Sequence, residues 1–186
     1  MGLKRAICHI AAAAAVLAAA ACVSLSAFSA ARAEPVVSIE KSFAASLTAM
    51  PADPLAVSGS FYVPVYSSVS MAQGRLRADF SVTLSVHNAS ETRPLVLKRI
   101  AYFDTAGKMV ESYLKSPVAL KPFSTVEVSI ATADVRGGTG ANFVVDWAAT
   151  SEIAEPVVEA LMVGDVGAAH YAFISQGRPI KVVGKN

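Results

Sequence analysis

From Arg75 to His87 the chain alternates without interruption between polar and apolar residues. Leu76, Ala78, Phe80, Val82, Leu84 and Val86 occupy one parity; Arg75, Arg77, Asp79, Ser81, Thr83, Ser85 and His87 occupy the other. A β-strand sends alternate side chains to opposite faces, so this stretch builds one dry face and one wet face. A helix would scatter the same residues around its circumference, which makes the period-2 pattern a strand signal. A sheet that is apolar on one side must be covered by a second layer. The stretch therefore constrains the fold while leaving the function open.

The flanking sequence repeats the theme in shorter pieces. Phe61 to Tyr66 has strand propensity, and Pro64 within it cannot donate to a ladder, which predicts an edge strand or a bulge. Asn88 to Pro94 has turn chemistry; Asn88-Ala89-Ser90 also matches a glycosylation acceptor but is read here as a turn. Leu95 to Asp104 places apolar residues on both parities, with Lys98 and Arg99 between them, so a bulge or strong twist is expected. The turn Asp104 to Gly107 predicts a hairpin with Lys108–Leu114. Thr125 to Ile130 alternates again, and Asp134 to Gly140 is a glycine-rich loop. Asn142–Ala149 is expected to form a hairpin with Val157–Val163, and Ala169–Ser175 is a last strand. Seven or eight short strands with no long helical period predict an all-β fold, a two-sheet antiparallel immunoglobulin-like sandwich.

The N-terminal third has a different character. A basic start, Lys4 and Arg5, precedes an Ala-rich apolar run to about Ala30, then Ala31-Arg32-Ala33. That order predicts a signal peptide, residues 1–33, cleaved after Ala33. Two alternatives are a retained anchor, since about 20 apolar residues span a bilayer, and lipid attachment at Cys22. The second lacks a bulky residue at Ala19 and a polar tether behind the cysteine. Residues 34–57, broken by Pro51 and Pro54, are expected to be a flexible arm, 58–177 the sandwich and 178–186 a tail. The expected destination is the periplasm or the exterior, with no stable membrane span once the leader is gone.

Losing Lys4, Arg5 and Arg32 from 16 basic residues leaves 13 against 14 acidic ones, a formal charge of −1. Without a basic excess, nucleic-acid binding is disfavoured. Cys8 and Cys22 both lie in the leader. The remainder therefore has no disulfide, no thiolate ligand and no thiol nucleophile.

Taken together, Tyr62-Val-Pro-Val-Tyr-Ser67, Tyr102-Phe-Asp-x-x-Gly107, Leu120-x-Pro122 and Gly138-Thr-Gly-Ala-Asn-Phe143 through Trp147 resemble the exported bacterial family known as domain of unknown function 3124. The resemblance runs from about Gly59 to Gly177. It implies an exported bacterial protein and carries no known activity, hence no catalytic residue.

Four residues stand out as candidate binding groups: Arg136, Asn142, Asp146 and Glu159. Arg136 within the glycine-rich loop could hold a small anion with backbone N–H groups. The loop lacks the Lys-Ser/Thr ending of a nucleotide loop, so the plainer reading is a strained turn relieved by glycine. If Thr150 pairs with Glu155, the expected hairpin sets Asp146 opposite Glu159. It also stacks Phe143, Val145 and Trp147 on Met162, Ala160 and Val158. Facing carboxylates suit Ca²⁺ or acid–base work; otherwise they are solvated and neutralised by a neighbouring Lys or Arg. His87 and His170 with Met71, Met109 and Met162 have no tight copper-site spacing, and no Gly-x-Ser-x-Gly elbow marks a hydrolase. Phe61, Tyr62, Tyr66 and Trp147 are read as core before they are read as a recognition surface.

The expectation is thus a non-catalytic binding or adaptor module of the cell envelope, acting through its loops or the Pro64 strand on an envelope protein or small ligand, with no cofactor and no metal. The alternatives are a small-ligand or metal-binding protein or hydrolase using Asp146, Glu159 and the Arg136 loop, and a purely structural module.

Overall fold

The computed structural model describes residues 38–183. The expected leader, its cleavage point after Ala33 and the Cys22 alternative lie outside the described residues. Among the described residues no helix is long and apolar enough to cross a membrane.

The chain enters through one helical turn, α1 (Ile39–Ser42), and then forms twelve strands among the described residues. In chain order these are β1 (Leu47–Thr48), β2 (Val57–Val65), β3 (Ser68–Met71), β4 (Leu76–His87), β5 (Leu95–Phe103) and β6 (Met109–Ser112). Then follow β7 (Val118–Leu120), β8 (Thr125–Ile130), β9 (Ala141–Ala149), β10 (Val157–Val166), β11 (Ala169–Gln176) and β12 (Arg178–Val183). They make two antiparallel sheets. One runs β1-β7-β5-β9-β2-β12 with β6 on β5; the other runs β11-β10-β4-β3 with β8 also on β4.

The strand at the centre of the sequence pattern is β4. It is paired on both sides, with β10 along one edge and β3 then β8 along the other. Phe80, Val82, Leu84 and Val86 are buried, while Ser81, Thr83 and Ser85 stay partly open. The dry face meets the inner residues of the other sheet, among them Phe61, Val63, Ile100, Phe143, Val145 and Trp147, in one continuous core. Trp147 is seated because the residue across from it on β2 is Gly59. A Cβ there would come within 2.6 Å of the indole Nε1.

The predicted irregularity in β5 is present. The β5–β9 register shifts between Leu97 and Arg99, which turns Leu97 and Ile100 inward and leaves Lys98 and Arg99 exposed. The hairpin from β5 to β6 also forms.

Three expectations are corrected. The β2 strand is flanked by β9 and β12, so it is not an edge; Pro64 pairs only toward β9, because the β12 ladder stops at Tyr62. On the β12 side no ladder partner needs the N–H that proline lacks. Residues 178–183 of the segment read as a tail form β12. Most consequentially, β9 and β10 do not form a hairpin: β9 lies between β5 and β2, and β10 between β4 and β11 in the other sheet. Residues 150–156 cross from one sheet to the other. Phe143, Val145 and Trp147 do share a core with Val158, Ala160 and Met162, but from opposing inner faces. Apolar alternation records which parity is buried; it does not distinguish a partner beside a strand from one across the core.

The stretch read as an arm is partly docked. Ile39 is buried among core residues, and β1 pairs with β7. Ser46 O accepts from Lys121 N at 3.0 Å and from Ser124 Oγ at 2.9 Å.

Candidate functional site

The four candidate residues do not come together. Asp146 is on β9, cross-strand to Ser60 and Arg99 on the outer face of its sheet. It accepts Ser60 Oγ at 2.6 Å and is paired with Arg99 Nε at 2.7 Å. Glu159 is on β10 of the other sheet, opposite Ser85 and Gln176. The two carboxylates are therefore not neighbours, and the expected repulsive or cation-binding pair does not form. The charge of Asp146 is met by Arg99 and a hydroxyl, an arrangement that sequence spacing alone does not reveal because the three strands are far apart in the chain.

Arg136 lies in the loop between β8 and β9, where a second group of residues converges. Its guanidinium forks onto Asp134, with Nε–Oδ1 at 2.8 Å and Nη2–Oδ2 at 2.7 Å. The hydrogen bond from Arg136 holds the Asp134 carboxyl below its ordinary pKa, and the same bond raises that of Arg136. Three backbone N–H groups of the loop are already given away within the fold. Arg136 N donates to Asp134 Oδ1, Gly138 N to Val135 O and Gly140 N to Thr105 Oγ1. Gly137 O and Gly138 O accept from Thr105 and Ser67 respectively. The loop is a tied closure, held to the β5–β6 turn and to the start of β3.

Tyr102 is buried beneath it. A Cβ on Gly137 would fall 1.7 Å from the Tyr102 hydroxyl, so only glycine lets the loop cross there. Tyr102 Oη has no hydrogen-bond partner of good geometry. Burial pushes its pKa up, and the nearby Ser67 hydroxyl, itself donated to Gly138 O, offsets part of that. Tyr113 is pushed up by the same cause, and both rings pack on Phe143. Asn142 is half-buried beside this cluster, opposite Pro64 and Phe103.

The other singled-out residues are dispersed. His87 Nδ1 lies 2.8 Å from Thr125 Oγ1, while His170 is exposed on β11 opposite Asp165. Met162 is in the core and Met109 is exposed on β6. Among the described residues no three His, Cys, Asp or Glu side chains gather as metal ligands. Phe61 and Trp147 are core, while Tyr62 is exposed. Asn88 is buried: its amide donates to Arg93 O at 2.9 Å and Lys121 O at 3.0 Å, and its Oδ1 accepts from Ser90 N. It therefore belongs to the turn, as read, and offers no accessible acceptor for a glycan.

What sequence reasoning missed is an apolar surface on the outer side of the smaller sheet. Val157, Leu161 and Val163 point outward from β10, and Ile174 on β11 lies opposite Leu161. Ile174 is 60% exposed and Val157 50%. The signal was legible: Val157 to Val163 is apolar on both parities except at Glu159, which a strand with one wet face should not be. A shallow depression of about 260 Å³, lined by Phe61, Pro156, Glu159 and Gln176 among others, adjoins this surface.

The chain matches the family described as "Protein of unknown function (DUF3124)" over residues 58–180. It belongs to that family. Three of the motifs that carried the resemblance meet in the folded chain, Ser67, Tyr102 and Gly138 converging on the loop closure, and Trp147 sits on Gly59. No curated protein matches the chain. Among solved structures, the crystal structure of Thermotoga maritima 1070 is similar over 64% of this chain and 92% of its own, with a TM-score of 0.41 at 11% identity.

Proposed function

We propose that this member of the family is an exported, non-catalytic binding or adaptor module of the cell envelope, and that it engages a protein partner through the outer face of the smaller sheet. The observation that supports this reading is the apolar stripe of Val157, Leu161, Val163 and Ile174, left open to solvent on a sheet whose other face already fills a core. Contiguous exposed apolar surface on a folded domain marks an interaction site. Glu159 and the adjoining depression would supply its polar rim. Asp146 and Arg136, each held in an ion pair elsewhere, are proposed to position their own strands and loop.

A photo-crosslinking residue placed at Val163 in the producing bacterium, with one at Lys98, exposed on β5 of the other sheet, as control, tests the surface. A crosslinked protein specific to position 163 is expected; equal or no labelling at both positions overturns the reading. Mass spectrometry of the exported protein tests the leader, with residues 34–186 expected and a lipid-modified chain beginning at Cys22 as the contrary result.

A further inference from the structure

The edges of the two sheets are not treated alike. β1 has two residues and β3 and β6 four each. β12 carries Arg178, Pro179 and Lys181, with a register shift between the last two. β8 alternates outward with Thr125, Glu127 and Ser129. These are the ways in which a sheet edge is kept from adding another strand: shortness, proline, charge and bulges. β11 has none of them. It is eight residues long, Ala-His-Tyr-Ala-Phe-Ile-Ser-Gln, and contains neither proline nor a Lys, Arg, Asp or Glu. Its ladder to β10 runs through eight consecutive pairs with no shift. Its side chains are open on both faces, because the strand overhangs the core: Tyr171 and Phe173 on the inner side and Ile174 on the outer are all more than a third exposed.

We infer that the edge of β11, left open among the described residues, pairs antiparallel with β11 of a second copy, joining the smaller sheets of two chains into one. The strand suits itself as a partner. A two-fold axis through Phe173 sets Phe173 against Phe173, Ala172 against Ile174, Tyr171 against Ser175 and His170 against Gln176. Each large side chain flanking the axis thus meets a small one, and residues on one face stay on that face, as a continuous sheet requires. Shifting the axis to Ala172 would instead put Tyr171 on Phe173 and Ile174 on His170. Self-pairing also brings no like charges together, since the strand carries no acidic or strongly basic side chain. The Phe173 ring, already at 5.3 Å from Phe80 and 6.0 Å from Tyr66, would close the open side of that aromatic group. Eight residues of strand are about 27 Å long. Pairing two of them with their flanking side chains covers on the order of 1,000 Å² in total, about the lower bound for a biological interface. This inference concerns the edge of the sheet and the proposed function its face, so either can fail alone.

Light scattering on the purified protein should give twice the mass of one chain. Ala172→Lys with Ile174→Lys places lysine opposite lysine on both sides of the axis, at exposed positions that face Val163 and Leu161 within their own sheet. The mass should fall twofold while Trp147 fluorescence stays native. Ala172→Glu with Ile174→Glu should do the same, and mixing the two variants should restore the dimer. Separately, Ala172→Cys with Ile174→Cys should give a reduction-sensitive dimer on oxidation that the parent chain oxidised in parallel does not give. A monomeric parent protein, lysine variants that remain dimeric, a mixture that stays monomeric, or a failure of the cysteines to crosslink would each overturn the inference.

Discussion

At the residue scale, the tightest constraint is the crossing of Gly137 over Tyr102. Neither residue reaches solvent freely enough to yield: Tyr102 is fully buried, and the loop above it is tied through Thr105 and Ser67. Gly137→Ala should therefore cost about 1–3 kcal/mol or more, the range for overpacking a closed site. Tyr102→Phe should behave in the opposite way. Its hydroxyl is buried without a well-formed partner, so removing it should cost less than about 1 kcal/mol or add stability. Both are read as urea midpoints at unchanged m. By contrast Leu84→Ala, in the centre of the dry face of β4, should cost about 2–5 kcal/mol. A loss under about 0.5 kcal/mol, the level of an ordinary surface change, would mean that β4 is turned over.

At the element scale, side-chain anchors hold the connections that the strands leave loose. Asn88 ties the β4–β5 turn to the end of β7, giving its amide hydrogens to carbonyls on both sides. Asn88→Ala removes the amide that holds Arg93 O, while Lys121 O keeps Ser124 as a donor, and should cost about 1–3 kcal/mol by chemical denaturation. In the loop before β9, the Asp134–Arg136 fork imposes a pH dependence of known sign. The carboxyl of Asp134 is held below its ordinary value near 3.8, chiefly by the hydrogen bond from Arg136. Its contribution is complete above that ordinary value and is lost as the pH falls through the lowered one. Melting curves between neutral pH and pH 2 should show Asp134→Asn less stable at neutrality, with the gap to the parent closing in acid. A gap that stays constant would mean that the fork contributes nothing.

At the scale of the whole molecule, the two sheets separate the groups that sequence spacing had placed side by side. Asp146 is met by Arg99 and Ser60 on one sheet, while Glu159 stands on the other, so no shared cation is expected. Millimolar Ca²⁺ should leave the melting temperature unchanged in the parent and in Asp146→Asn; a calcium-dependent rise lost in that variant would restore the metal-binding reading. The limits of the sequence are physical. Local alternation was sufficient for the class of fold, for β4 with its buried parity, and for the bulge in β5, because burial parity and the charges of Lys98 and Arg99 are properties of one strand. The loop chemistry at Asn88 and at Gly107 was likewise local. What needed the tertiary structure was every question of adjacency. Phe143, Val145 and Trp147 match Val158, Ala160 and Met162 equally well beside them or across a core. Only the crossing at residues 150–156 decides which, and with it the fate of Asp146 and Glu159. The same holds for β11: its uncharged sequence was plain, but that it ends a sheet with both faces open is decided by how the strands are stacked.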